Sequence, residues 1–183
     1  MGQYYKPTIL KERKPKSKAD IVVWFYSHNY DNGLKLMEHS YKGNNFVNAV
    51  RNWLIASGGG RLVWAGDYAD EEAKGKPNIY GISEDAGMRE TDYTDEDKPA
   101  YHFYNNHDKH EFVDLDKCLS KDEWGFVVEP LPLLTCEGNG RGGGDYEGSS
   151  MALVGSWARD FITCDMAPTE GYKEIIPDFK EKF

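Results

Sequence analysis

The chain is poor in cysteine, and its three cysteines, Cys118, Cys136 and Cys164, contain no C-x-x-C pair. That spacing excludes a zinc ribbon, and an odd count closes no disulfide framework, so the thiols read as reduced in a cytosol-like compartment. No apolar run approaches the roughly 18 residues of a membrane span, and no charged-then-apolar leader opens the chain. The expectation is a soluble protein of the cytosol, away from membranes. Catalytic signatures are missing too. There is no G-x-S-x-G elbow and no G-K-[ST], which removes the serine-hydrolase nucleophile turn and the P-loop. Basic residues are scarce: 22 Lys and Arg stand against 31 Asp and Glu, for a net charge of −9. An acidic body repels phosphate backbones, which argues against direct nucleic-acid binding.

What basic charge there is lies together. Residues 6–18, "KPTILKERKPKSK", hold six of the basic side chains and the single acid Glu12. This turn is either a solvated hairpin tip or a contact for phosphate or an acidic partner. The 183 residues suit one domain spanning 1–183. "QYYKPTIL" and "DIVVWFYSH" have the β-branched and aromatic content of strands flanking that turn. Phe46, Val47, Val50, Trp53 and Leu54 recur at helical spacing after Asn44 and Asn45 and before Gly58-Gly59-Gly60, predicting a capped amphipathic helix. A shorter helical turn is expected at "LKLMEHS".

"RLVWAGDY" reads as a strand. Residues 67–98 form a long acidic excursion with a short strand near Asn78–Ile82. "YHFYNN" and "HEFVDL" make a β-hairpin. "GFVVEPLPLLTC" and "MALVGSWARDFITC" read as further strands, and "YKEIIPDFKEKF" as a short strand with a charged tail. One helix against many sequential strands implies an α+β fold with a mostly antiparallel sheet and the helix packed on it.

The stretch 136–150, "CEGNGRGGGDYEGSS", is a glycine-rich loop. Gly138, Gly140 and Gly143 satisfy G-x-G-x-x-G, but turn chemistry follows where a dinucleotide site needs a helix. What survives is an anion nest of backbone amides at Gly140, Gly142 and Gly143, with Arg141 as a bidentate clamp, or else a flexible connection. Ser149 and Ser150 beside it lack fixed helpers for a nucleophile. His102, His107 and His110 cluster with Asp108 and Glu111, but hairpin placement converges poorly for a metal; no metal and no cofactor is expected. "LVWAGDYAD" and "LVGSWARDFIT" share Trp-Ala-x-Asp-aromatic, and "GDY" recurs at 144–146. If both lie on strands, Trp64, Tyr68, Tyr146 or Trp157 can wall a planar ligand, with Asp67 or Asp160 reading its polar edge and Asp145 also in the binding site.

"MGQYY", "GLKLMEHSYKGNNFV", "GGRLVWAGDYAD" and "VGSWARDFI" together resemble a group of small bacteriophage and prophage proteins to which no activity is assigned. The resemblance runs along most of the chain and carries no site residues. It implies an accessory protein acting in the host cytosol. Three functions are expected from these readings. The first is sequestration of a small anionic ligand such as an immune signalling nucleotide, as an anti-defence factor without enzymatic activity. The second is inhibition of a host protein through the acidic excursion, with Glu71, Glu72, Asp95 and Asp97 in contact. The third is an enzyme acting on a nucleotide or sugar through Asp67, Asp145 or Asp160 and a histidine.

Overall fold

A computed structural model describes residues 2–84, 86, 94–140 and 142–182 and the backbone of 89–90. Among these, nine strands join in one sheet in the order β4-β2-β1-β3-β8-β5-β6-β9, with β7 paired to β3 off that path. The strands are β1 (Tyr5–Leu10), β2 (Ile21–Phe25), β3 (Gly60–Gly66), β4 (Arg89–Glu90), β5 (Phe103–Asn106), β6 (Glu111–Asp114), β7 (Cys136–Glu137), β8 (Phe161–Asp165) and β9 (Lys173–Glu174). The pairings among β1, β2, β3, β5, β6 and β8 are antiparallel. Only the two-residue strands β4, β7 and β9 join in parallel. The fold is α+β with one main helix.

That helix, α1 (Asn45–Ser57), starts where Asn44 accepts a hydrogen bond from the Val47 amide and ends at Gly58 in left-handed conformation, φ 75°. Both ends follow from side-chain capping and from glycine's tolerance of positive φ. Its Phe46, Val47, Val50 and Leu54 are buried in the larger core together with Ile9, Val23, Phe25, Leu62 and Trp64 of the sheet. Residues between these on the same strands, Leu10, Trp24, Val63 and Ala65, enter a second core on the other face. Alternation therefore buries both faces of β1 to β3, which is why their sequences read as near-continuous apolar runs.

The second face is covered by part of the acidic excursion. Asn78–Ile82, expected as a strand, begins a short helix, α2 (Ile79–Glu84), whose Ile79 and Ile82 enter that core. Asn78 Oδ1 accepts from the Gly81 amide at 3.0 Å, so a capping asparagine diverts the segment from extended pairing. A second correction concerns 125–136, where α3 (Pro130–Thr135) replaces most of the expected strand. Proline at the first helical position loses no needed amide, and Glu129 supplies the cap to Leu131. A third concerns 151–164. Residues 151–159 are turns, and only the end of the stretch is strand β8. The expected helical turn at 34–40 is a pair of hydrogen-bonded turns rather than a helix. No helix among the described residues is long and apolar enough to cross a membrane.

Candidate functional site

Arg141 lies outside the described residues. Among the glycines beside it, Gly140 is exposed with open space around it, whereas Gly142 and Gly144 approach Tyr5 and neighbouring backbone closely. The Tyr5 hydroxyl donates to the Gly142 carbonyl at 2.5 Å in a buried site. A Cβ on Gly142, at φ 87°, would stand 2.8 Å from the Gly138 nitrogen, and one on Gly144 would stand 2.7 Å from the Tyr5 hydroxyl. Glycine is needed here for close packing of backbone against Tyr5. Gly143 is likewise buried, and Gly140 takes φ 64°. Both "GDY" segments meet Tyr5: Gly66 pairs with it on β1, and the Cβ on Gly144 would meet its hydroxyl.

The expected aromatic wall is a correction. Trp64 and Trp157 have no exposed surface, and Tyr146 is buried against Phe179. Their polar atoms are satisfied internally: Trp64 donates to His39 Nε2 (2.9 Å), Trp157 to Glu111 (2.8 Å) and Tyr146 to the Ser149 carbonyl (2.6 Å). Buried rings with committed donors are core, and present no face to a ligand. Tyr68 is exposed, but it lies beyond the end of β3, so strand alternation does not align it with Trp64. Asp67 accepts from the Tyr4 amide, and Asp145 from the Met37 amide. Asp160 is fully buried, held by Arg13 (2.6 Å) and Asn106 (2.8 Å). Ser149 is tied to the Asp178 and Lys180 carbonyls of the tail. His107 bridges Tyr172 and Thr163, while His102 pairs with Asp116.

The "WARD" segment has a different role from the one alternation suggested. Arg159 adopts a left-handed conformation, φ 69°, which costs a non-glycine residue about 1 kcal/mol. That turn aims its guanidinium at two carboxylates. Nε donates to Glu137 (2.8 Å), Nη2 to Glu137 as well, and Nη1 and Nη2 bind Glu72 bidentately at 2.9 and 2.5 Å. Nη1 also donates to the Arg13 carbonyl at 3.1 Å. Arg159 thereby clamps the lysine-rich turn to the excursion after β3. Glu72, expected as a free contact for a basic partner, is consumed in this clamp.

Between those two segments opens a cavity of about 580 Å³, within the size range of small-ligand sites. Lys14, Lys16 and Lys18 line it from the turn and Lys76 from the excursion. None of the four ammoniums has a carboxylate within ion-pair distance among the described residues. The apolar lining comes from Pro15, Ala73, Pro77 and Ile82. Glu72 also lines the cavity, and its carboxylate shares the Arg159 guanidinium with Glu137. The turn is ordered by a capping box: Ser17 accepts from the Ala19 amide, and Asp20 from the amides of Lys16 (2.7 Å) and Ser17 (3.2 Å). The Lys16 amide in particular holds the Asp20 carboxyl below its ordinary value. Four lysines around a concave surface concentrate positive potential on an otherwise acidic protein. The lysine turn was visible in sequence as a charge run; its meeting with Lys76, some sixty residues on, was not.

A scan against protein-family models finds no match, and searches of curated proteins and of solved structures give no significant match.

Proposed function

We propose that the protein binds a small anionic ligand of the nucleotide class in the lysine-walled cavity and sequesters it. The observation that supports this most is the set of four lysines, Lys14, Lys16, Lys18 and Lys76, facing one cavity with no carboxylate within ion-pair distance among the described residues. Phosphate oxygens would take the ammoniums, and the flat apolar part of the ligand would lie against Pro15, Pro77 and Ile82. The Glu72 carboxylate is paired with Arg159, which lessens the repulsion that an unpaired carboxylate there would exert. Storage asks only for charge and shape, both of which these walls offer. With the phage-type sequence phrases, the reading is an anti-defence factor that withdraws a signalling nucleotide in the cytosol of an infected cell.

Native mass spectrometry after incubation with linear and cyclic nucleotides separates storage from turnover. Sequestration predicts a complex whose ligand mass is unchanged after hours. A ligand released with altered mass would replace this reading with an enzymatic one.

A further inference from the structure

A second surface carries the opposite charge and two bare rings. Trp124 and Phe126 are 60% and 54% exposed. They are held in place there by the turn that carries them. Asp122 Oδ1 accepts from the amides of Trp124 (3.0 Å) and Phe126 (2.8 Å), the Asp122 amide donates back to the Phe126 carbonyl (2.9 Å), and Gly125 takes φ 87°. The Phe126 ring also lies against Tyr41, centroids 5.1 Å apart and 30° from parallel. Side chains this apolar, fixed in water by a built turn, mark a surface that meets something.

Two adjoining cavities share Met37, Glu38 and Trp124 and make one groove beside these rings. Glu38, Asp122, Glu123, Asp145, Glu147 and Glu181 line it against two cations, Lys35 and Lys182. Burial first, and then the charges of Glu123, Asp122 and Asp145, push the Glu181 carboxyl above its ordinary value. Asp122 is 1% exposed, and its second oxygen, Oδ2, has no hydrogen-bond partner among the described residues. An ionised carboxylate buried with one oxygen unsatisfied is costly unless a cation approaches. No group of three or more His, Cys, Asp or Glu among the described residues converges to hold a metal ion, so the charge is distributed as an extended partner would meet it.

We propose that this groove docks a basic segment of a partner protein, with an arginine or lysine lying on Trp124 and Phe126 beside Asp122. A cation over an indole face gains from the ring quadrupole, its apolar stem covers the exposed ring, and its charge offsets the crowded carboxylates. The surface is separate from the lysine cavity, so it adds a protein partner to the small-ligand reading and does not rest on it.

The test uses the full chain and a hexapeptide alternating glycine and arginine, titrated by calorimetry and by tryptophan fluorescence. Trp124→Ala keeps the fold, since the ring is largely in water. Asp122→Asn keeps the oxygen that receives the two amides and removes the charge. Glu71→Lys changes net charge at an exposed site outside the groove lining. Trp124→Ala is expected to weaken the peptide about tenfold, Asp122→Asn about fivefold, and Glu71→Lys less than about twofold. A loss in Glu71→Lys at least as large as that in Asp122→Asn would reveal attraction to net charge alone and overturn the proposal. Unchanged affinity in Trp124→Ala would also overturn it, as would a wild-type chain that dimerises through this face while Trp124→Ala stays monomeric.

Discussion

His39 should make the protein lose stability in mild acid, by an amount that its surroundings set. The ring is fully buried, edge-on to Phe46 at 5.1 Å and tilted 31° to Trp64. Trp64 Nε1 donates to His39 Nε2 at 2.9 Å, so the imidazole proton sits on Nδ1 and is donated to the Gly33 carbonyl at 3.1 Å. A second proton would place two donors face to face in a dry core. Burial accordingly pushes the pKa from 6.5 down to about 4, the Gly33 carbonyl opposing only in part. Unfolded His39 takes up a proton near the ordinary value, whereas folded His39 resists until the lower one. Between them the unfolded state binds more protons, so stability falls as pH falls and is fully present above about 6.5. At pH 4.5 the two pKa values give a loss of about 2–3 kcal/mol.

The assay is urea denaturation of wild type and His39→Gln at pH 7.5 and 4.5. Glutamine can accept from Trp64 and donate to Gly33 without titrating, and all carboxylates are common to both proteins. Wild type should therefore lose about 2–3 kcal/mol more than the variant across this interval. Equal losses, or a His39 resonance titrating near its ordinary value, would refute the reasoning.

Two further predictions follow from the same packing. Gly142→Ala should destabilise by about 2–4 kcal/mol, because its φ of 87° and the 2.8 Å approach to Gly138 leave no room for a Cβ; thermal melts measure it, and a near-neutral change would mean that the glycine segment is slack. Arg159→Ala should cost about 3 kcal/mol, leaving Glu72 and Glu137 without their shared cation. It should also loosen the lysine turn, read as faster amide exchange at Lys16 and Ser17, and unchanged exchange there would remove Arg159 from its clamping role.

The helix α1 was legible because five apolar residues repeat at its period between an asparagine cap and a glycine stop. The β5–β6 hairpin was legible from its alternating runs and polar turn. The short helices were not. Six residues such as Pro130–Thr135 give too little periodicity, and their prolines suggest an edge strand until Glu129 and Pro130 are recognised as a cap and a first helical residue. Nor could alternation survive at 151–159, where turns end in a left-handed Arg159 that composition does not announce. The basic turn was recognised as a charge run, and the Ser17-x-x-Asp20 pair marks it as ordered. Its conversion into a cavity wall depends on Lys76, Pro77 and the Arg159 clamp, contacts distant in sequence. The tryptophans misled for a related reason: Trp64 lies on a strand whose two faces α1 and α2 cover, and Trp157 lies in a turn packed into the core rather than on a strand.

Calorimetric titration of linear and cyclic nucleotides into wild type and a Lys16→Ala/Lys76→Ala double variant tests the ligand site most directly. At about 1 kcal/mol for each partly exposed ammonium–phosphate contact, the double variant should bind about 30-fold more weakly. Wild-type affinity should also fall as salt is raised. No binding by wild type to any member of the panel, or equal affinity in wild type and the double variant, would contradict the assignment of the lysine cavity as the anion site.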